Sequence, residues 1–263
     1  MFPSHDQKRL TEVLSVPTYF GNEHRMIEYL SSVLNQKQLE YTVDPIGNIY
    51  VTKGDAESYP CFVSHTDTVH QVNDRLEVFV NPEGHLQGRD SVDHSPLGIG
   101  GDDKCGVYMC LEMLDKLDTV KVAFFVGEEF GMIGSKQACP DFFSNVKYAI
   151  QFDSPEGDTM SLTLRGDYLF DKESLFGQTV TPLLLERGIT KWQHHPYTDV
   201  YQLITKFDFP CLNLAAGYHR YHTRQEYVIM DEVENTMQLA LELVEGLKET
   251  NYTRVKSHSV VDS

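Results

Sequence analysis

The chain has 263 residues, of which 41% are hydrophobic and 23% are charged, so it can bury a sizeable core and is not an intrinsically disordered polymer. Its 39 acidic residues outnumber its 22 basic residues, which gives a formal net charge of −17. A field of this sign repels phosphate backbones and anionic lipid, so we expect no nucleic-acid partner and no membrane partner.

Two kinds of apolar periodicity alternate along the chain. In chain order they predict helix His5–Leu14, helix Glu23–Leu34, strands Ile49–Thr52 and Cys61–Ser64, helix Lys104–Leu117, strands Val120–Val126, Tyr148–Phe152 and Met160–Leu164, helix Asp171–Arg187, strand Cys211–Leu214 and helix Asp231–Lys248. Strands that alternate with helices favour an α/β fold with a mostly parallel central sheet. No repeat or linker marks a boundary, so we expect one domain over residues 1–250 and a flexible tail over residues 251–263.

The cysteines and the start of the chain indicate the compartment. The five cysteines are odd in number and lie mostly inside apolar runs, which is typical of buried free thiols in a cytosolic protein. The first residues lack the apolar segment of a secretion signal, and no run approaches the ~20 apolar residues of a membrane span. We therefore expect a soluble, cytoplasmic protein.

Unusual polar groups follow the predicted strands, where the active sites of open α/β sheets collect. They are His65-Thr66-Asp67-Thr68, Asp102-Asp103-Lys104 after a Gly-rich turn, Gly127-Glu128-Glu129-Phe130-Gly131, Asp153, and Gly217-Tyr218-His219-Arg220-Tyr221-His222. Each group alone has an ordinary structural role: an aspartate that opens a helix is first an N-cap, and adjacent glutamates are usually a solvated face. Because these groups are expected to converge at one sheet edge, a shared chemical role explains them better than separate structural roles do.

A metal centre supplies that role. Carboxylates crowded into a cleft repel one another, and a divalent cation removes this conflict. A mixed set of histidines and carboxylates suits zinc, and a set larger than one catalytic zinc requires indicates two ions that share a bridging carboxylate. Asp67 lies two residues from His65 and can orient its ring. Of Glu128 and Glu129, one can bind metal while the other accepts a proton from water.

These motifs resemble those of the co-catalytic di-zinc exopeptidases, which include peptidase T, carboxypeptidase G and the zinc aminopeptidases. The similar segments occur in the same order as in the family. Asp44–Asn48 resembles the motif D-x-x-G-N, His65–Thr68 resembles H-x-D-T, Gly100–Gly106 resembles G-x-D-D-K-x-G, and Gly127–Ser135 resembles G-E-E-x-G-x-x-G-S. Phe152-Asp153 matches the position of the family's next metal ligand, and His222–Glu226 resembles the closing H-x-x-x-E. The resemblance implies a three-layer α/β/α sandwich, in agreement with the alternation of predicted elements.

The resemblance also implies a role for each site residue and two Zn²⁺ ions as cofactors, for which cobalt or manganese can substitute. The implied roles are His65 and Asp153 on one zinc, Glu129 and His222 on the other, Asp102 as the bridging ligand, Glu128 as general base and Asp67 as the carboxylate that orients His65. The family pattern favours Asp102 over Asp103 as the bridge. His219 competes with His222, but only His222 has a glutamate, Glu226, at the family spacing.

The chain departs from the peptidase T pattern in one respect. That branch inserts a lid and dimerisation domain before its last histidine, and the segment between Asp153 and His222 is too short to hold one. An oxyanion donor must therefore come from elsewhere, and the candidates are Gln193-His194-His195-Pro196-Tyr197-Thr198-Asp199, Tyr218, His219 and Arg224. The stretch Asp90–Ile99, with His94, is either a flexible flap over the metals or a plain surface loop.

The expected function is zinc-dependent hydrolysis of an amide bond, foremost by an aminopeptidase acting on short peptides. A first alternative is an amidohydrolase or deacylase acting on an N-acyl amino acid or another small amide, which uses the same metal chemistry. A second alternative is a catalytically inactive homologue that acts as a binding protein. This second alternative predicts a broken ligand set, and no ligand is missing from the sequence. The oligomeric state is left open.

Overall fold

The computed structural model describes residues 5–161, 163–164, 167–193, 198–249 and 251–253. In this part of the chain the helices are α1 His5–Leu14, α2 His24–Gln36, α3 Gly101–Lys116, α4 Ile133–Lys136, α5 Pro140–Phe143, α6 Leu175–Glu186, α7 Asp199–Lys206 and α8 Met230–Gly246. None of these helices combines the length and the apolar character that a bilayer span demands. The predicted tail lies outside the described residues from residue 254 onward.

The strands form one large sheet and several smaller ones. They are β1 Tyr41–Val43, β2 Ile49–Lys53, β3 Tyr59–His65, β4 Leu76–Val80, β5 Leu86–Asp90, β6 Pro96–Leu97, β7 Val120–Phe125, β8 Val146–Ser154, β9 Thr159–Ser161, β10 Thr163–Leu164, β11 Asp167–Tyr168, β12 Lys191–Gln193, β13 Cys211–Ala215, β14 Tyr218–His219 and β15 Tyr227–Val228. The large sheet has six strands in the order β1-β2-β7-β3-β8-β13.

Most of the central sheet is parallel. Strands β7, β3, β8 and β13 run parallel to one another, whereas β2 is antiparallel to β7 and β1 is antiparallel to β2. Every residue of β3 and β7 is buried, as expected for strands that helices cover on both faces. The predicted mostly parallel α/β sheet is therefore confirmed.

Helices lie on both faces of this sheet. α3 packs against β3, β7 and β8 and against α1, whereas α7 packs against β3, β8 and β13. The alternation of side chains along β8 shows the two faces: Gln151 accepts a hydrogen bond from the backbone N–H of Val200 in α7 at 3.0 Å. The next residue, Phe152, points to the other face and stacks on Phe62 of β3, with 5.6 Å between the ring centroids. The arrangement is an α/β/α sandwich.

A second sheet, which the sequence did not predict, joins segments on either side of α3. It contains β14, β15, β5 and β4 in that order, with β6 paired to β5, and all its pairs are antiparallel. The stretch Asp90–Ile99, expected to be a flap or a loop, is largely the β5–β6 hairpin, in which the Asp90 N–H donates to the Ser95 carbonyl at 2.8 Å. Residues 91–96 of this stretch are exposed, and its role as a flap over the metals stays a prediction.

One predicted strand falls outside the central sheet. The prediction for Met160–Leu164 falls on β9 and β10, with residue 162 outside the described part of the chain. β9 pairs with β12 and β10 pairs with β11, so neither belongs to the central sheet. The predicted helix Asp171–Arg187 begins later, at Leu175, because the Ser174 hydroxyl caps the helix by accepting from the Gly177 N–H at 3.0 Å.

Candidate metal centre

Seven residues predicted to form the site come together at the carboxyl edge of the parallel strands. His65 is the last residue of β3 and Asp67 follows it by two residues, Asp153 is the penultimate residue of β8, and the Glu128-Glu129 pair follows β7. Asp102 lies in the first turn of α3, and His222 lies between β14 and β15. The site is therefore assembled from five separate segments, as the rule for open α/β sheets predicts.

The imidazole of His65 lies at the centre of the carboxylates. Its Nε2 atom is 3.2 Å from Asp102 Oδ1, 3.8 Å from Asp153 Oδ1 and 3.9 Å from Glu128 Oε2. The side chain of His65 is completely buried, and those of the three carboxylates are nearly so. Three buried acidic side chains that approach one ring nitrogen repel one another unless a positive charge lies among them.

His222 closes the other side of the cluster. Its Nε2 atom lies 2.9 Å from Glu129 Oε1 and 3.1 Å from Asp102 Oδ2. The competing candidate, His219, instead contacts Glu232 Oε2 at 2.7 Å and stacks on Tyr227. The geometry therefore separates two histidines that lie only three residues apart, and the side chain of His222, 40% exposed, leaves the cluster open to solvent.

Asp67 connects His65 to the loop that carries the two glutamates. Its Oδ1 atom lies 3.3 Å from His65 Nδ1, on the side of the ring away from the cluster. Its two carboxylate oxygens also accept hydrogen bonds from the backbone N–H groups of Glu128 at 2.9 Å and Glu129 at 3.2 Å. The backbone carbonyl of Asp67 also lies 3.1 Å from His65 Nδ1, so Asp67 contacts both the ring and the loop.

Neighbouring aspartates in α3 have different surroundings. The carboxylate of Asp102 lies between His65 and His222, whereas Asp103 accepts hydrogen bonds from the backbone N–H groups of His65 at 3.2 Å and Gly106 at 3.0 Å. A Cβ atom at Gly106 would lie 2.3 Å from Asp103 Oδ1, so a glycine is required beneath this carboxylate. The peptide bond between Asp102 and Asp103 is cis.

Asp153 is held by polar residues inside otherwise apolar strands. Gln151 Nε2 donates to Asp153 Oδ2 at 3.1 Å, and the Tyr218 hydroxyl donates to Asp153 Oδ1 at 3.1 Å. The Asn213 side chain binds the backbone N–H and carbonyl of Asp153, each at 2.9 Å. Sequence reasoning missed these supports, although a polar residue within each of two apolar runs, Gln151 and Asn213, was a usable signal.

Glu226 supports the segment that carries Asp102. Its buried carboxylate accepts hydrogen bonds from the backbone N–H groups of Gly100 at 2.8 Å and Asp102 at 3.1 Å. His70 Nε2 donates to the same carboxylate at 2.9 Å. His70 was not predicted to take part, because only the folded chain brings together two residues so far apart in sequence.

Asn48 closes the loop between Val126 and Gly134, which carries Glu128 and Glu129 and is called the glutamate loop below. Asn48 Oδ1 accepts from the Val126 N–H at 3.1 Å, before the loop, and Asn48 Nδ2 donates to the Gly134 carbonyl at 3.2 Å, after it. Gly127 opens the loop with a φ of +64°, a conformation that favours glycine. The segment Asp44–Asn48, singled out by its sequence pattern, therefore supports the loop that carries Glu128 and Glu129.

The ionisation of the cluster is strongly perturbed. Burial and the nearby carboxylates of Asp153, Asp199 and Asp102 raise the pKa of Glu128. Burial, followed by the charge of Asp102, also raises the pKa of Asp153. Burial alone would raise the pKa of Asp102 as well, but the imidazoles of His222 and His65 beside it outweigh burial and lower it. The ionisation of these carboxylates thus depends on the positive charge that lies among them.

The residues present fit a divalent metal. His65 Nε2 and Asp102 Oδ1 are buried side-chain atoms that make no hydrogen bond to the described residues. Two groups of three residues could each hold a metal ion: His65, Glu128 and Asp153, and His65, Asp102 and Glu129. Within each group, the three donor atoms all lie within 4.8 Å of one another. Imidazole nitrogens and carboxylate oxygens are ordinary zinc ligands, and a buried polar atom without a partner is costly.

The candidate oxyanion donors have separate locations. The Tyr218 hydroxyl lies in the cluster on Asp153, and the Thr198 hydroxyl contacts Asp153 Oδ2 at 3.0 Å. Asp199 is completely buried beside the cluster, which raises its pKa to about 7. Residues 194–197, which include His194 and His195, lie outside the described residues, as does the side chain of Gln193. Arg224 lines a separate cavity.

Several solved structures are similar to this chain over most of its length. Aminopeptidase PepT from Bacillus cereus ATCC 10987 is similar over 92% of this chain and 98% of its own, with a TM-score of 0.77 and 14% identity. A tripeptidase from Staphylococcus aureus subsp. aureus Mu50 is similar over 91% and 97%, with a TM-score of 0.74 and 13% identity. The TET1 peptidase of Pyrococcus horikoshii, which can assemble into a tetrahedron or a large octahedral shell, is similar over 93% and 100%, with a TM-score of 0.67 and 18% identity.

At these identities the structural similarity shows the fold alone. No curated protein sequence gives a significant match. The model of peptidase family M28, in contrast, matches residues 48–244, which include the glutamate loop and all five proposed metal ligands. The predicted relation to the zinc exopeptidases is therefore confirmed: the chain belongs to peptidase family M28.

Proposed function

We propose that this chain is a di-zinc aminopeptidase that acts on short peptides. The observation that carries the proposal is the convergence of Asp102, Asp153 and Glu128 on the buried Nε2 atom of His65. Such a group of acids around an imidazole is stable when dications neutralise it. Membership of a peptidase family supports hydrolysis of a peptide bond as the reaction.

The proposed ligands follow from the two sides of the cluster. His65 and Asp153 would hold one zinc, His222 and Glu129 would hold the other, and Asp102, which faces both histidines, would bridge them. When bound, the ions would lower the pKa of the attacking water and polarise the scissile carbonyl. Cobalt and manganese have ligand preferences close enough to substitute.

Glu128 is the proposed general base. Its carboxylate lies in the cluster without belonging to the proposed ligand set, and Asp67 holds its backbone in place. In this position Glu128 would accept a proton from the attacking water and return it to the amine that leaves. The Tyr218 hydroxyl lies in the cluster, and it would act as the oxyanion donor if its one proton turned from Asp153 to the developing oxyanion.

The charge of the site favours one end of the substrate. The cluster is acidic and the chain has a net charge of −17, so a substrate's free ammonium group is attracted to the opening beside His222. This preference supports an aminopeptidase over a carboxypeptidase. We also propose that residues 1–250 act as one catalytic domain in the cytoplasm.

Cleavage assays with a panel of substrates test the proposal. Purified protein loaded with zinc, cobalt or manganese is incubated with di- and tripeptides that have a free or an acetylated amino terminus, together with N-acyl amino acids. We expect cleavage of free peptides only, and two equivalents of metal by elemental analysis. Cleavage of the N-acyl compounds alone would favour the deacylase. No cleavage by any loaded form, with the metal bound, would favour a binding protein.

A further inference from the structure

A polar cavity of about 350 Å³ lies next to the metal cluster. Its walls come from the segment between α1 and α2, the loop from β3 to the start of β4, the end of β6, α3 at Lys104 and the segment after His222. None of the seven proposed site residues lines it. The volume falls at the small end of the range of ligand pockets, ~300–1,000 Å³. The cavity is therefore a separate space with room for a small ligand.

The lining of this cavity has a charge opposite to that of the whole chain. Three basic side chains line it, those of the cations Lys104 and Arg224 and the imidazole of His70, and none of its lining residues is acidic. The nearest acidic group that a lining residue contacts is the buried Glu226 carboxylate behind His70. The chain as a whole has a net charge of −17. A concave region of the opposite sign attracts small anions from solution.

Two of these basic side chains have hydrogen-bonding capacity to spare. Lys104 is 3% exposed, and its Nζ donates to the carbonyls of Leu14 at 2.9 Å and Ile99 at 3.1 Å. A lysine ammonium has three donors, so one remains. Arg224 makes no hydrogen bond or ion pair that the described residues show, which leaves its planar set of five donors available for an oxyanion.

The third basic side chain is fixed in place. His70 Nε2 donates to the buried Glu226 carboxylate at 2.9 Å. The ring also lies directly over Gly98, where a Cβ atom would come within 2.1 Å of His70 Cε1. This wall of the cavity is therefore formed before any ligand enters, which reduces the cost of binding.

We propose that this cavity binds a small oxyanion, through a carboxylate or phosphate group held by Arg224 and Lys104 beside the ring of His70. The shared chemistry has two sources: a free small anion, or the terminal carboxylate of a short peptide. The site does not depend on the proposed peptidase function, because its residues are distinct from the metal ligands and the general base.

Calorimetric titration of the full-length protein tests this site. Inorganic phosphate and succinate are titrated into metal-free protein, so that anions cannot bind through zinc, and then into zinc-loaded protein. We expect saturable binding of one anion per chain in both forms. Arg224→Gln should weaken it about tenfold, the effect of losing one charge-assisted contact. Gln71→Glu, which adds an acid to the lining, should weaken it as well.

A matched control removes the same charge nearby. Arg220→Gln changes an exposed arginine that does not line the cavity, and its affinity should stay within twofold of the original. Glycyl-leucine and its carboxyl amide distinguish the source. If glycyl-leucine binds and its amide does not, the site accepts a peptide carboxylate. If succinate binds and glycyl-leucine does not, the site takes a free anion. The proposal would be overturned if no saturable binding of an anion were seen, or if Arg224→Gln and Arg220→Gln lost equal amounts of anion affinity.

Discussion

The carboxylate of Asp67 accepts a hydrogen bond from the backbone N–H of Glu128, across 2.9 Å. The proposed general base therefore owes its position to the same side chain that contacts His65 Nδ1. Neutralising Asp67 without changing its size tests this link. In Asp67→Asn, an NH₂ group replaces one acceptor. Either a backbone donor then loses its partner, or His65 Nδ1 keeps only the backbone carbonyl of residue 67, at 3.1 Å.

We expect Asp67→Asn to lower kcat by about 10–100-fold, the usual effect of removing a group that orients a ligand, with KM little changed. Steady-state kinetics on a tripeptide measure the two constants separately. The control is Asp74→Asn, which removes an exposed carboxylate paired with Arg25. A merely structural role for Asp67 would instead lower the amount of folded protein and leave kcat per active enzyme unchanged.

Glu128 and Glu129 offer a matched pair of substitutions. Glu128→Gln should lower kcat by about 10²–10⁴-fold, the range for loss of a general base, while both metal equivalents stay bound. Glu129→Gln should lose about one equivalent of metal, since Glu129 is proposed to hold the same zinc as His222, which it contacts. Elemental analysis alongside kinetics checks both. Survival of activity in Glu128→Gln would show that another group accepts the proton.

Removal of metal should destabilise the fold. The buried carboxylates of the cluster repel one another once the dications are gone, and a ligand that binds only the native state raises its stability. For a chain of this size we expect a chelator to lower Tm by roughly 5 °C or more. Differential scanning calorimetry with chelator, and again after zinc is restored, measures the shift. An unchanged Tm would mean that the cluster is neutralised by protons.

Gly134→Ala should destabilise the protein by about 1–3 kcal/mol, the cost of overpacking. A Cβ atom at this position would lie 2.3 Å from Asn48 Oδ1 and 2.6 Å from the backbone of Val126. Urea unfolding gives the free energy of unfolding for this variant and for Gly157→Ala, where a Cβ atom would meet no atom within 4 Å. Equal stabilities would contradict the proposed closure of the glutamate loop by Asn48.

The cysteines should differ in reactivity. All five are free, and four of them are buried: Cys61, Cys105, Cys110 and Cys211. Burial raises the pKa of the Cys61, Cys105 and Cys110 thiols, and the thiolate is the reactive form. An aromatic disulfide reagent should label one thiol rapidly in the native protein, the half-buried Cys139, and five in denaturant. The rapid phase should be missing in Cys139→Ser, and a second rapid thiol in the original protein would count against the burial of the other four.

The central sheet could be predicted from the sequence because its parallel strands are almost entirely apolar. Short apolar runs such as Val120–Phe125 and Cys61–Ser64 are typical of strands that are covered on both faces. The second sheet could not be predicted, because its strands are short, and residues such as those of Leu76–Val80 are partly exposed. A strand whose stability comes from pairing with distant segments leaves a weak local pattern.

The candidate ligands could be singled out because their positions follow strand ends. Their supports were harder to find. Glu226 and His70 are in contact only because β15 pairs with β5 and brings the chain back across α3. Similarly, the choice between Asp102 and Asp103 depended on the family pattern, since both residues stand in the same turn and only the backbone decides which carboxylate meets the histidines.

The β4–β5 hairpin ends in a turn that is closed by its own hydrogen bonds. The Asn81 N–H donates to the His85 carbonyl at 2.8 Å, and the Gly84 N–H donates to the Asn81 carbonyl at 2.9 Å. Residues 82–84 are exposed, and a Cβ atom at Gly84 would touch nothing within 4 Å. Exposed tips of this kind tolerate insertions. This hairpin therefore offers protein engineers a place to graft an affinity tag or a fused reporter outside the residues of the proposed metal cluster.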